Sequence, residues 1–362
     1  MAGVNDEWRG AAHAAPRHLF VPERAWCVPE QDGDGHLIDR AEDPEQWLRA
    51  AYSNSAIITQ TSDGSPDVAS GGSKYSSSLS APGIVFPFLD LLDPYDGDEV
   101  LEIGTGTGWT AALLASRLRD DNLYSIEIDP AVLAEAKRNL RAAGRAPHLI
   151  LGDGVKGWPD GAPYDRVHVA VGVREIPHAW VEQTRPGGMI VLPWMPEWEG
   201  GHRVRLTTIG DGTAVGRLHG GCRFMMLRGQ RPPENLPESR VRESSTSLDP
   251  RRVVRASTGA DVAVSGMLPG VYGSNRTEHD GSFDMWLWNK DSTAHVHYDP
   301  GYKRSAVTQS GPRDLWDELG DVFLRWVAMG SPTRDRFGLT VSPQGQHLWL
   351  DSPDNPVRPA FM

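Results

Sequence analysis

Three observations predict an α/β fold. An apolar run at 100–103 leads straight into glycines 104, 106 and 108, and a small-residue helical pattern follows at once. From 83 to about 193, short apolar stretches alternate with helical patterns, which implies parallel strands with helices on both faces. Beyond about 232 the chain turns proline- and charge-rich, then dense in Trp and His. Together they predict a doubly wound, Rossmann-like core with a C-terminal α+β extension. The expected division is 1–82, a helical and loop segment of the catalytic domain; 83–232, the core; and 233–362, the extension.

The elements follow in order. Residues 1 to about 50 read as short helices and loops, and Asp43 and Pro44 look like the cap and first position of a helix over 43–52. Residues 59–82, rich in Ser, Gly and Asp, read as one long loop. An apolar helix is expected from 83, then strands at 99–103, 123–127, 148–151, 165–170 and 189–193 with helices at 108–119, 130–143 and 175–183. Segments 203–210 and 221–229 look like two further strands around a Gly-Asp-Gly turn. In the extension, 314–326 carries apolar residues at helical spacing, and 335–353 alternates around Pro343-Gln344-Gly345 as a hairpin.

Composition narrows the class. Hydrophobic residues make up 39% and charged residues 23% of 362, as in an ordinary globular protein. No apolar run approaches the ~18 residues of a membrane span, and the polar, acidic start does not read as a signal peptide. Cys27 and Cys222 form neither a disulfide framework nor a paired metal spacing, so a cytoplasmic setting and no metal are expected. A net charge of −12 argues against a general nucleic-acid binder. The arginine-rich stretches at 223–233 and 251–255 read as solvated faces.

A strand, a glycine turn and a helix present backbone N–H groups to a nucleotide. The glycines run G-x-G-x-G, with Trp109 where the dinucleotide fingerprint has its third glycine, and a Trp there is expected to obstruct a pyrophosphate. The spacing suits a smaller, cationic nucleoside, S-adenosylmethionine. Glu127 falls at the end of the second strand, where a carboxylate can accept ribose hydroxyls. Asp129 and Pro130 read as the cap and start of the next helix. Asp153 stands at the end of the third strand, where it can accept an adenine amino group, while Gly152 and Gly154 let backbone approach the base. Glu102, before the turn, can bond the turn's N–H groups or a ligand ammonium. Each acid alone equally suits a helix cap or a surface role; their succession along one rim favours a site.

These segments resemble the protein-L-isoaspartate O-methyltransferases. The matching stretches are "RHLFVP" (17–22), "SLSAPG" (78–83), "LEIGTGTGW" (101–109), "GDG" (152–154), "APYDRVHVAVGV" (162–173) and "RPGGMIVLP" (185–193), in the family's order. The resemblance implies that Ser80, the serine of the "SAP" segment, contacts the carboxylate being methylated. The candidate cofactor set is Glu102, Gly104, Thr105, Gly106, Gly108, Glu127, Ile128, Gly152, Asp153 and Gly154. Ser78, Leu79 and Val171 are the candidate substrate contacts. His168 reads as a satisfied core histidine and Asp165 as structural.

The long approach to "SAP" and the roughly 130 residues beyond the core depart from the repair enzymes. They resemble an extended actinobacterial branch encoded with ribosomally made peptide natural products (lanthipeptides, lasso peptides or graspetides). This implies methylation of an aspartate in a precursor peptide, already cyclised, leading to an aspartimide, with either the aspartimide or isoaspartate as the final product. The alternative is ordinary isoaspartate repair. The intact glycine turn, Glu127 and Asp153 argue against a catalytically silent peptide binder, and the "SAP" and "APYD" segments argue against a methyltransferase for small molecules or nucleic acid. The extension's Trp286, Trp288, Trp316, Trp326 and Trp349, with His295 and His297, suit either a packed core or a substrate surface.

Overall fold

The structure, a computed structural model, describes residues 5–31, 33–64, 68, 74–198, 200–232 and 240–361. The chain folds as two units. The first comprises Met1–Gly172, Pro177–Pro193 and Arg205–Ala214; the second comprises Val173–Ile176, Trp194–Val204 and Val215–Met362. Residues 215–232, expected with the core, therefore cluster with the extension.

The first unit starts with α1 (Asp6–Ala14), β1 (Arg24–Pro29), β2 (His36–Asp39), α2 (Pro44–Tyr52), β3 (Ser55–Thr61) and β4 (Tyr75–Leu79). The four strands form an antiparallel sheet in the order β2-β1-β3-β4. This corrects two expectations. Residues 1–50 contain two strands, and the expected loop over 59–82 is framed by β3 and β4. The hydroxyl-rich composition hid these strands because the hydroxyls pair across the ladder: Thr59 Oγ1 donates to Ser77 Oγ (3.1 Å), and Ser76 Oγ to Gln60 Oε1 (2.8 Å). The middle of that predicted loop, 65–67 and 69–73, lies outside the described residues.

The core follows as α3 (Pro82–Leu92), β5 (Val100–Ile103), α4 (Trp109–Arg117), β6 (Leu123–Glu127), α5 (Pro130–Ala142), β7 (His148–Leu151), β8 (Tyr164–Val169), α6 (His178–Glu182) and β9 (Thr184–Trp194). Strand pairing is parallel throughout: β5 with β6 and β8, β6 with β7, and β8 with β9. The resulting order, β7-β6-β5-β8-β9, changes direction between β5 and β8. Folds of this kind bind ligands at such a switch point, beyond the carboxyl ends of the strands. The apolar strands are buried on both faces, as parallel sheets require; Val100, Leu101, Leu123 and Val167 are all fully buried. Asp129 caps α5 through the N–H groups of Ala131 and Val132, with Pro130 at the first position, as expected.

Strands β10 (Gly201–Thr208) and β11 (Ala214–Cys222) contribute residues to both units. The second of the expected pair was misplaced at 221–229. The glycine-poor, apolar "RFMML" reads more like a strand than the observed "AVGRLHGGC", whose glycines have low strand propensity.

In the second unit, β12 (Val241–Thr246), α7 (Pro250–Val254), α8 (Thr258–Met267), β13 (Tyr272–Thr277), β14 (Phe283–Trp288), β15 (Thr293–Tyr298) and β16 (Ser305–Ser310) precede α9 (Leu315–Ala328), β17 (Phe337–Ser342) and β18 (Gly345–Leu350). An antiparallel sheet runs β12-β16-β15-β14-β13. Its inward residues, among them Phe283, Met285 and Val296, are buried, and α9 packs on it with Leu315, Leu319, Val322 and Phe323 buried. The β17–β18 hairpin closes at Ser342 and Gly345 as the sequence predicts. Trp316, Trp326 and Trp349 are core residues, whereas Trp286 and Trp288 are half-buried, with Trp286 stacked on His295 at 5.3 Å. The proline- and charge-rich stretch that begins beyond about 232 falls partly on 233–239, outside the described residues, and continues into β12. Among the described residues no helix is long and apolar enough to cross a membrane.

Candidate functional site

Glycines 104, 106 and 108 all take positive φ (+92°, +54° and +88°), the backbone region that only glycine enters freely. The turn they form leaves β5 at the switch point. A Cβ at Gly104 would lie 2.8 Å from Val171 Cγ1, so the residue beyond β8 closes on the turn. At Gly106 a Cβ would lie 3.4 Å from the Ser78 carbonyl, so the end of β4 approaches from another side. Gly108 lets α4 pack against Ala136 and Leu140 of α5.

The turn's hydrogen bonds are accounted for locally. Gly104 and Thr105 N–H both donate to Ile126 O (2.9 and 3.2 Å), and Gly106 N–H donates to Glu127 Oε2 (3.0 Å). The other Glu127 oxygen accepts from Asp129 N–H at 3.1 Å. Burial pushes the Glu127 carboxyl above its ordinary pKa, against the opposing pull of these N–H groups. Each carboxylate oxygen keeps a further lone pair for a ligand hydroxyl.

Glu102 corrects its expectation. It is fully buried beneath the turn and bonds neither the turn's N–H groups nor the surface. Ser125 Oγ donates to its Oε2, and Thr105 Oγ1 lies 2.7 Å from Ser125 Oγ, so a hydroxyl chain links the acid to the turn from below. Burial raises its pKa to about 8, with Glu127 adding to the rise, so Glu102 is neutral at pH 7. His168 sits opposite it in the ladder, with Nδ1 3.9 Å from Glu102 Oε1. It is a core histidine as expected but not a fully satisfied one: among the described residues Nδ1 has no hydrogen-bond partner, and burial lowers its pKa to about 4. Asp165 accepts from Glu99 N–H and Arg185, a structural role.

Around the rim, Gly152 N–H donates to Glu127 O (2.9 Å), which fixes the end of β7 beside β6. A Cβ at Gly152 would meet only ordinary contacts, near 3.8 Å. At Gly154 it would strike Ile103 Cγ2 at 2.6 Å, so packing against β5 by itself requires a glycine there. Asp153 is exposed and accepts from Val155 N–H (3.1 Å). Ile128 (43% exposed), Leu151 (56%) and Val155 (36%) leave apolar surface at the same edge, a surface suited to a flat base. Trp109 corrects its expectation: its indole is buried and donates to Ala15 O (3.1 Å), so it turns into the core and does not obstruct the turn.

On the acceptor side, Ser78 and Ser80 are half-buried, while the Leu79 side chain is 2% exposed and faces the core. Only the Leu79 backbone remains for a substrate. The sequence reading missed Arg17, which is completely buried yet donates to the carbonyls of Ala51 (2.7 Å), Ser55 (2.7 Å), Leu79 (3.4 Å) and Ser80 (3.1 Å). Its place in "RHLFVP", between two prolines and apolar neighbours, was the available signal: a charge in an apolar run must find partners. Among the described residues no group of three or more His, Cys, Asp or Glu could hold a metal ion.

A doubly wound sheet with a three-glycine turn at its switch point, a carboxylate at the end of the next strand and apolar surface beside it defines a class I methyltransferase. The family model for protein-L-isoaspartate(D-aspartate) O-methyltransferase matches residues 38–231, and the chain belongs to that family. It is therefore an S-adenosylmethionine-dependent carboxyl O-methyltransferase. The protein-L-isoaspartate O-methyltransferase of Thermococcus onnurineus is 39% identical over 160 residues, covering 42% of this chain and 70% of that one. The enzyme named protein-L-isoaspartate O-methyltransferase 2 of Archaeoglobus fulgidus is 31% identical over 227 residues, covering 61% and 84%. A solved structure named protein-L-isoaspartate O-methyltransferase covers 97% of this chain and 96% of its own, with TM-score 0.53 and 21% identity, a likeness of fold.

Proposed function

We propose that the protein methylates the free carboxylate of an isoaspartyl residue in a peptide or protein. The carrying observation is the convergence of the Ser78–Ser80 segment on the glycine turn, within a family named for this acceptor. S-adenosylmethionine supplies an electrophilic methyl group on a sulfonium. The residues present fit it: the turn brings backbone close, Glu127 would accept the ribose hydroxyls, and Ile128 and Leu151 would cover the base, with Asp153 at its edge. An acceptor carboxylate, with an ordinary pKa near ~4, is already ionised at neutral pH, so no general base is required. Ser80 donates its hydroxyl to one carboxylate oxygen and aims the other at the methyl group; catalysis then comes from positioning and exclusion of water.

The ester is a better electrophile than the carboxylate. The following backbone nitrogen attacks its carbonyl carbon, loses its proton and expels methanol, and a five-membered succinimide closes. Water opens the ring to aspartate or isoaspartate. Neither step needs a further group from the enzyme.

A second reading is methylation of an ordinary aspartate in a cyclised, ribosomally made precursor peptide. It is favoured by the whole of 232–362 lying outside the family match, and by the half-buried Trp286, Trp288 and His295 on the open face of the second unit's sheet. Mass spectrometry separates the two. The enzyme and S-adenosylmethionine are incubated with a linear isoaspartyl peptide and its aspartyl twin. A gain of about 14 Da, followed by loss of methanol, on the isoaspartyl peptide alone supports the first reading. An inert isoaspartyl peptide overturns it.

A further inference from the structure

We propose that Arg17 is a positioning residue that sets the acceptor-side Ser80 in register with the cofactor turn. The inference rests on the reading that Ser80 meets the acceptor. Arg17 is fully buried, and among the described residues the hydrogen bonds of its two terminal guanidinium nitrogens all go to backbone carbonyls, while Nε has no partner. Ala51 O belongs to the last turn of α2, where carbonyls lack helical partners and carry partial negative charge. Ser55 O opens β3. Leu79 O and Ser80 O lie on the acceptor segment itself. One planar fork thus ties that segment to two elements of the N-terminal sheet region, which a lysine ammonium cannot reproduce.

The guanidinium also lies over the Trp109 ring, 5.2 Å from its centroid. Trp109 follows Gly108 directly and starts α4, so the helix leaving the cofactor turn is the floor on which Arg17 rests. The indole is itself fixed by its bond to Ala15 O. The same side chain therefore touches both halves of the site. Burial lowers the guanidinium to about 9, so it stays charged at neutral pH and its donors stay in place.

A double-mutant cycle tests this on the full chain: R17K, S80A and the pair, each assayed for kcat and KM on an isoaspartyl peptide and for S-adenosylhomocysteine affinity by calorimetry. R17K is expected to lower kcat/KM for the peptide about tenfold or more, the scale of charged hydrogen bonds mispositioned in a buried site. S-adenosylhomocysteine affinity should stay within about twofold. In the S80A background R17K should cost much less, because the two act as one unit. Additive losses, or parallel loss of nucleoside affinity, overturn the inference. Full activity of S80A alone overturns the reading of Ser80 instead. If R17K does not fold, Trp109→Phe, which drops the indole donor, takes its place in the cycle with the same non-additivity expected.

Discussion

Ser125 Oγ lies 2.5 Å from the Glu102 carboxyl, and neither residue has any exposure to solvent. The acid that the glycine motif places before its turn is thus a buried hydrogen-bonding post. It holds the turn through Ser125 and Thr105 while carrying no charge.

A pH dependence follows. Native Glu102 keeps its proton up to about 8, whereas in the unfolded chain it ionises near 4.5. Between those values folding takes up a proton, so stability falls as pH rises. His168 acts in the opposite sense: native and neutral above about 4, it loses a proton on folding below its ordinary 6.5, a contribution complete by that pH. From pH 6.5 to 8, wild type should lose on the order of 1–2 kcal/mol relative to E102Q. Thermal melts of the two proteins across that window check this; parallel curves contradict it.

Gly106 N–H already fixes Glu127 Oε2, so the acid is aimed before any ligand arrives. Glu127→Gln should weaken S-adenosylhomocysteine binding about tenfold or more, through loss of charged acceptors, while changing the melting temperature little. Calorimetric titration of both proteins measures it. Equal affinities would remove Glu127 from the site.

At Gly104 an added methyl meets both a strained backbone (φ +92°) and Val171. Gly104→Ala should cost about 1–3 kcal/mol in denaturant unfolding and weaken nucleoside binding with it. An alanine variant as stable as wild type would show that the turn tolerates a side chain.

The core was legible because its signals are local. Strand–glycine–helix spacing fixes β5 and α4, and Asp129-Pro130 fixes the start of α5. Hydroxyls concealed β3 and β4: Thr59, Ser76 and Ser77 read as loop residues until a partner strand supplies their bonds. The sequence could flag Arg17 as a charge in an apolar run, but not its partners, for a related reason. Its four acceptors are backbone carbonyls, and Ser80 is 63 residues away, so no sequence pattern marks them. Trp109 misled through its position in the motif, since only tertiary packing decides that its ring turns inward. The sequence likewise carried no sign that Glu102 is neutral, because desolvation comes from β-strands on either side.

The most direct test is a crystal structure of the protein with S-adenosylhomocysteine. The account predicts the ribose hydroxyls on Glu127, the base beside Ile128 and Leu151 near Asp153, and the sulfur facing the Ser80 hydroxyl. A nucleoside bound away from the Gly104–Gly108 turn, or a sulfur turned from Ser80, would contradict it.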